Sequence, residues 1–544
     1  MKNRIALSLL TILLATNGLM AQGGGQSSNW FMYLLLAMVV LLFFLIFVRV
    51  SDSMLAIEAK RLGIEDGSKD SFSLFSSFGD LFPTKRPEHL SASAPFVKLT
   101  KGHDILLEGA AEGAVQPAQT VTTYAVSVPD FIGISPIPKV TVEVGDNVKA
   151  GDVLFYDKKK PEIQYVAPVS GEVIEITRGE KRSIKQIIIL ADKKQQFKSN
   201  KAPQLNDASR EEIVNYLLET GAWTLLRQRP YNVTPEPSVV PRDVYISTFD
   251  TAPLAPNSNV VLVGKEAAFQ KGLDVLAALT SGSVNLGMNA KDATIAKAYT
   301  DATGVNKIYF DGKHPAGNVG VQIHNTKPIA SGEVIWTLGV QEVATLGELF
   351  LSGNFDASRV VALTGAELKA PKYVSTYAGA RLGELLKDNM ANDHSRIISG
   401  DVLSGSQRDA DSFLGYFDDQ VTVVEEGDDY EMFGWLLPLK PRPSVSGTFP
   451  NKIFTDLVFK ADTNTHGEQR AFVMTGLYEK MLPMDIYPQQ LMKSIMINDM
   501  EAMEGLGIFE LVEEDVALAE FACVSKQPLQ SILRDGLDRM REEG

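Results

Sequence analysis

PIPKVTVEVGDNVKAGDVLFYDKKK, residues 136–160, runs straight into PEIQYVAPVSGEVIEI, residues 161–176, and the two stretches repeat one pattern. In the first, Val140, Val142 and Val144 alternate as one face of a strand and Gly145-Asp146 turns the chain. Val148 points inward, Gly151-Asp152 turns the chain again, and Val153 and Phe155 run on. In the second, Val166, Val169, Val173, Ile174 and Ile176 repeat the arrangement around Pro168 and Gly171. Short alternating strands broken by such turns predict a small all-β unit built from two halves.

The pair resembles the barrel-sandwich fold of biotinyl and lipoyl carrier domains, in which two half-motifs interlock. Carriers present a modifiable lysine at the hairpin tip between the halves. The tip here is DKKKPE, with Lys158, Lys159 and Lys160 beside Pro161, and it lacks the Asp-Lys-Ala or Met-Lys pattern of true carriers. The unit, residues 96–200, is therefore expected to be scaffold, with its lysines solvated.

Toward the N-terminus, Trp30 to Val48 is free of charge and proline. At ~1.5 Å per residue this stretch covers about 28 Å, close to the ~30 Å hydrocarbon thickness of a bilayer, so a transmembrane helix is expected over 30–48. Trp30 and Tyr33 lie at one end, and Arg49, Lys60 and Arg61 follow the other. The positive-inside rule puts everything after the span on the cytoplasmic side, single-pass. Residues 1–21 read as signal-peptide-like: Lys2 and Arg4, an apolar core Ile5 to Ala15, and Leu19-Met20-Ala21 as a candidate cleavage site. Residues 51–95, rich in Ser, Asp, Gly and Phe and broken by Pro83 and Pro87, are expected to be a tether. Phe72, Phe75, Phe78 and Phe82 are its only docking candidates.

The 544 residues carry a net charge of −15, and residues 1–50 hold three of the cations and no acid, which leaves −18 on the remainder. Such a surface repels phosphate backbones, so nucleic acid is not expected as a partner, and an anionic lipid surface acting alone is a poor one. Cys523 is the sole cysteine, which rules out an intrachain disulfide and a Cys-ligated cluster or zinc finger. The six histidines, His89, His103, His314, His324, His394 and His466, show no i, i+4 pair. No metal site is expected.

Toward the C-terminus, Ser209-Arg210-Glu211-Glu212 reads as a capping box that opens a helix, with Ile213, Val214, Leu217 and Leu218 on one face and Gly221 as its end. GAWTLLRQRPYN follows. Strand-like runs at Val244–Ser247, Val260–Val263, Val284–Leu286 and Lys307–Phe310 then alternate with helices over Lys265–Leu279 and near Thr294–Thr300. That order predicts a doubly wound, mainly parallel α/β domain over 205–345. No G-x-G-x-x-G or G-x-x-x-x-G-K follows a strand there, so no phosphate cradle is expected. In the loop DGKHPAGNVG, residues 311–320, His314 is expected to hydrogen-bond backbone rather than a ligand.

These segments, with KLTKGHDILLEG, RGEKRSIKQIII, GAWTLLRQRP, DTAPLAP, HPAG, RIISGDVLSG, EMFGWLLP, GEQRAFVMTGLYEKMLPMDI and LDRMREEG, resemble in order the NqrA family of sodium-translocating NADH:quinone reductases. The likeness runs from about Val97 to Gly544. Members of that family begin near the equivalent of Val97, so the signal and span are additions. The resemblance implies a bacterial respiratory translocase of six subunits that oxidises NADH, reduces a membrane quinone such as ubiquinone and exports Na⁺. This chain would contact the B subunit (NqrB) most closely, with the C, D, E and F subunits completing the complex. NADH, FAD, FMN, riboflavin and iron–sulfur centres would belong to partner subunits, with quinone at this chain's interface and membrane lipid along residues 30–48.

The family looks related to the NADH- and FMN-binding subunits of Rnf complexes and of complex I. VVALTGAELKAPKYVSTYAGARLGELLK, residues 360–387, is similar to their β-grasp (SLBB) module: a hairpin turning at Ala370-Pro371, then a helix carrying Leu382, Leu385 and Leu386. That module is expected over 355–445. A mostly helical C-terminal domain is expected over 446–544, with Leu529, Ile532, Leu533, Leu537 and Met540 as an inward stripe and Cys523 as a small buried hydrophobe.

No catalytic, cofactor-binding or metal residue is assigned. The donors nearest aromatics, Trp223 with Arg227 and Arg229, and Trp336 with Gln341, are expected to serve packing ahead of quinone contact. Two other classes compete. One is the flavin- and NADH-binding subunit of an Rnf-like complex, opposed by the single cysteine and the missing phosphate loop. The other is a membrane-tethered adaptor, opposed by the absence of a long heptad hairpin between the half-motifs.

Overall fold

The computed structural model describes residues 33–44, 46–47, 51, 86–118, 121–429, 442–445 and 457–543. Two units divide the chain, Met1–Lys85 and Arg86–Gly544. In the first, residues 33–44 and 46–47 are helical, and their apolar side chains stand exposed, Phe43 at 68% and Phe47 at 67%. The expected transmembrane helix is thus shown only as this exposed apolar helix. Among the described residues no helix is long and apolar enough to cross a membrane. Both ends of 30–48 lie outside the described residues, as do residues 1–21 and residues 52–85 of the tether.

The second unit is organised by a six-stranded sheet ordered Phe96–Lys98, Asn306–Asp311, Val284–Asn289, Val244–Ser247, Ile335–Thr337, Arg227–Arg229. Its pairs are parallel except the last, which is antiparallel. The capping box opens the helix Arg210–Glu219: Ser209 accepts from the Glu212 amide and Glu212 accepts from the Ser209 amide at 2.7 Å. The helices Glu266–Leu279 and Val340–Ser352 cross where Gly272 faces Gly347, and a Cβ built on Gly347 would lie 1.7 Å from the Ala268 carbonyl oxygen. The expected strand Val260–Val263 is instead the end of a short helix, Ser258–Val261, because the Asn257 side chain accepts the Asn259 amide at 3.0 Å and starts a helical turn. The helix near Thr294 is reduced to Lys297–Thr300.

The half-motifs build two small antiparallel sheets, one of Thr123–Ser127, Ile184–Ala191, Gly171–Arg178 and Asn147–Val148, the other of Lys139–Val140, Val153–Asp157 and Lys160–Val166. Val148, Phe155, Val166, Val169 and Val173 are buried as read from the pattern. Val144 is 61% exposed, contrary to the pattern. The chain has already turned there, since the Glu143 amide donates to Asp146 Oδ2 at 2.7 Å and the Gly145 amide to Val173.

The β-grasp sheet runs Ser406–Arg408, Ser395–Ser399, Gln420–Glu425, Ser358–Thr364, Lys372–Tyr377, Glu112–Pro117. Its central hairpin turns at Ala370-Pro371, and Leu382, Leu385 and Leu386 are buried beneath it. Barrel-sandwich and β-grasp modules with mixed α/β sheets therefore make up the described fold. Two strands from the head of this unit join other modules: Phe96–Lys98 edges the α/β sheet and Glu112–Pro117 edges the β-grasp sheet. One core runs through the barrel, α/β and β-grasp modules. A second gathers the C-terminal helices, including Glu513–Ala522 and Leu529–Glu543, with Leu529, Leu533, Leu537 and Met540 inside and Ile532 half-buried. Cys523 is buried there, 2.8 Å from the Tyr478 hydroxyl.

Candidate functional site

In an open parallel sheet a ligand crevice forms beyond the carboxyl ends of the strands, at the place where successive connections leave in opposite directions. Here that place lies between Val244–Ser247 and Ile335–Thr337. The chain leaves Ser247 for the strand on one side, Val284–Asn289, and returns later as Ile335–Thr337 on the other. A cavity of about 410 Å³ opens there. Its volume suits a small-molecule ligand. The loops after Ser247 and Thr337 supply one wall and His314 with Asn318 another. Asp130 of the barrel, Asp401, Phe417 and Asp419 of the β-grasp module, and Glu514 of the C-terminal helices close it.

Two arginines enter from the edge strand Arg227–Arg229, whose alternate residues share a face. The Arg227 guanidinium lies 3.7 Å from the centroid of the Phe417 ring, a cation–π stack. Burial pulls its pKa down to about 10. Its Nη1 is buried with no hydrogen-bond partner. Arg229 is 2% exposed and donates through Nη1 to Asp515 Oδ2 at 2.8 Å and through Nη2 to Glu514 Oε1 at 2.6 Å. Burial pushes its pKa down, but the two carboxylates outweigh burial and hold it above the ordinary value.

His314 is 4% exposed, and burial holds its imidazole below the usual value, toward the neutral form. Its side chain meets a hydroxyl, not the expected backbone: Nδ1 lies 3.1 Å from Thr251 Oγ1, and Thr251 Oγ1 accepts the Gly317 amide at 3.0 Å. Backbone groups do anchor the residue, whose own amide donates to Asp104 Oδ1 at 2.8 Å. Nε2 has no partner. If the Thr251 hydroxyl donates to Nδ1, the imidazole proton sits on Nε2, a second donor on the cavity wall.

Carboxyl groups set the sign of the remaining wall. Burial pushes Asp130 up to about 6, against the Tyr416 amide that donates to it at 2.9 Å. Burial likewise raises Asp419 to about 7, opposed by Arg359. Glu514 moves in the same direction, burial being the largest influence and Arg229 opposing it. Its side chain is 43% exposed, and so much contact with solvent limits the rise. Carboxyls that titrate near neutrality can hold or release protons, whereas an anion would meet this wall at a cost. Among the described residues no group of three or more His, Cys, Asp or Glu could hold a metal ion.

Of the donors singled out in the sequence, Arg227, Arg229, Gln341 and His314 line this cavity. Gln341 is committed elsewhere, donating to the Val360 carbonyl and accepting its amide, both at 2.8 Å. Trp223 and Trp336 do not reach the cavity. They pack edge to face at 5.3 Å, both fully buried, and Trp223 Nε1 donates to Pro235. Asp130, Asp250, Glu342, Asp419 and Glu514 were not singled out. They come from separated stretches with no local motif.

Barrel-sandwich, doubly wound and β-grasp modules sharing one core, with a cavity walled partly by buried charged groups at the sheet's switch point, define a multidomain α/β protein. The sequence matches families described as the NqrA N-terminal barrel-sandwich hybrid domain over 97–192, the NqrA second alpha/beta domain over 208–355 and the NQRA C-terminal domain over 360–410. It is 38% identical over 451 residues to a Saccharophagus degradans protein named as the A subunit of Na(+)-translocating NADH-quinone reductase, covering 82% of this chain and 100% of that one. It is 37% identical, with the same coverage, to the Yersinia pseudotuberculosis protein of that name. The chain belongs to the NqrA family. A solved NAD⁺-reducing [NiFe]-hydrogenase in the H2-reduced state overlaps 41% of this chain and 48% of its own at a TM-score of 0.30 and 10% identity, too slight a likeness to argue from.

Proposed function

We propose that this chain works as the NqrA component of a Na(+)-translocating NADH-quinone reductase, a translocase that couples NADH oxidation and quinone reduction to Na⁺ export. The observation that carries the reading is the identity of 36–38% along the full length of relatives bearing that name. Within it, this chain holds no redox group. One cysteine cannot ligate a cluster, and the acidic switch-point wall is a poor seat for a flavin phosphate or a dinucleotide. NADH, FAD, FMN, riboflavin and iron–sulfur centres reside in the B to F subunits, of which NqrB is the nearest neighbour.

Residues 30–48 form the single-pass anchor, and the bulk of the chain lies on the cytoplasmic face. The exposed apolar helix over 33–44 and the basic residues Arg49, Lys60 and Arg61 support that placement. The domains run 96–200 (barrel-sandwich), 205–345 (α/β), 355–445 (β-grasp) and 446–544 (helical). The cavity shapes the quinone side: Arg227 Nη1 and His314 Nε2, like Arg229 Nε, are buried donors without a partner, suited to an uncharged ring carbonyl. Copurification of the tagged chain from membranes, followed by labelling of the complex with a photoreactive quinone, tests this. Recovery of the B to F subunits with label on this chain is expected. Recovery without label reduces the chain to scaffold, and recovery of none of them refutes the assignment.

A further inference from the structure

The hairpin joining Gly171–Arg178 to Ile184–Ala191 ends in a tight turn in which the Ser183 amide donates to the Glu180 carbonyl at 3.0 Å. Its two central residues are Lys181, at φ 51°, and Arg182, at φ 65°. Left-handed backbone at two consecutive positions is a type I′ turn, which asparagine and glycine normally fill at little cost. Long cationic side chains occupy it here against that preference, and strain kept at an exposed tip points to a use for what the tip presents.

What it presents is charge. Arg178, Lys181, Arg182 and Lys185 are all exposed. The Ile184 amide donates to Pro136, which brings the loop of Pro136 and Ile137 alongside, with Lys139 just beyond it, also exposed. Among the described residues none of these five cations forms an ion pair; the acids within the hairpin's tip are Glu175 and Glu180, and Asp157 accepts the Ser135 amide beside the Pro136 loop. Elsewhere the chain is strongly acidic, at −15 overall. Over a Debye length of about 8 Å that distant charge is screened, so a ligand at the tip meets the local cations. In their midst Ile137 is 42% exposed.

We propose that this tip docks on the anionic phospholipid headgroups of a membrane surface, the cations on phosphates and Ile137 in the apolar layer just beneath. An acidic protein partner would match the charge but leave the isoleucine unused. The inference goes beyond the assignment to the reductase, and the site is separate from the switch-point cavity.

The test uses the purified full chain carrying a fluorophore at Glu180→Cys, mixed with nanodiscs that contain a quencher-labelled lipid. One set is phosphatidylcholine alone and the other includes phosphatidylglycerol. Quenching is expected to be stronger with phosphatidylglycerol, to fade with added salt, and to fall about fivefold for each cation replaced in Lys181→Gln and Arg182→Gln. Equal quenching in both lipids, or indifference to these replacements, overturns the proposal. Loss of quenching to free inorganic phosphate at equal charge also overturns it, in favour of a soluble anion, and a response only to added partner subunits overturns it in favour of an acidic protein. Retention on pure phosphatidylcholine discs reports the anchor over 30–48 separately.

Discussion

Asp130→Asn should stabilise the protein at neutral pH and leave it unchanged in acid. The Asp130 carboxyl is held at about 6 against an ordinary 3.8, because burial beside Phe131 and the Tyr416–Phe417 pair, helped by Asp418, disfavours its charge more than the Tyr416 amide, Arg408 and Arg227 restore it. Between those two values the folded chain binds the proton and the unfolded chain does not, so stability falls as pH rises through that window. Two units at about 1.4 kcal/mol each amount to about 3 kcal/mol lost by pH 7. Asparagine imitates the protonated acid, and its side-chain oxygen can still accept the Tyr416 amide that donates at 2.9 Å. Urea unfolding followed by circular dichroism should give equal midpoints for both proteins near about pH 4, a gap that widens through about pH 6, and a plateau of about 3 kcal/mol above it. A gap that stays flat with pH, or a variant less stable at about pH 8, would refute the account of burial as the dominant influence.

Three further outcomes are expected. Arg229→Gln strands the buried Asp515, whose side chain is 0% exposed, and should cost about 3 kcal/mol or more in urea midpoint. Gly347→Ala forces its new methyl against the Ala268 carbonyl and should destabilise by about 1–3 kcal/mol in the same assay, whereas Gly264→Ala, where a Cβ meets nothing within 4 Å, should cost only its left-handed backbone. Arg227→Lys keeps the charge but loses the flat stack on Phe417. It should lower stability by about 1 kcal/mol and reduce photoreactive-quinone labelling, and unchanged labelling would remove Arg227 from the proposed site.

The fold was most legible where a local signal and the tertiary environment agree. The capping box at Ser209 marks a helix start in any context, and the alternation of Val244–Ser247, Val284–Leu286 and Lys307–Phe310 with helical runs announces a mainly parallel sheet. Legibility failed where one side chain overrode a pattern. Asn257 turned a β-branched run into a helical turn, and Asp146 ended the strand before Val144. The cavity was half visible. Arg227 and Arg229 stood out beside Trp223, yet the tryptophan went to the core and the arginines to Phe417, Glu514 and Asp515. Those partners lie from nearly 200 to nearly 300 positions away, and no window of sequence brings them together.

The pairing of Phe96 with Tyr309 and of Val374 with Gln116 means that two sheets are finished by pieces made long before the rest of either exists. On the ribosome the opening segment must wait as a loose thread until most of the polypeptide has emerged, and only then can both modules close. Trimming the start as far as Pro117 would take an edge from each sheet at a stroke, so a harmless-looking cut upstream of the barrel should loosen two domains and, through the core they share, the barrel beside them.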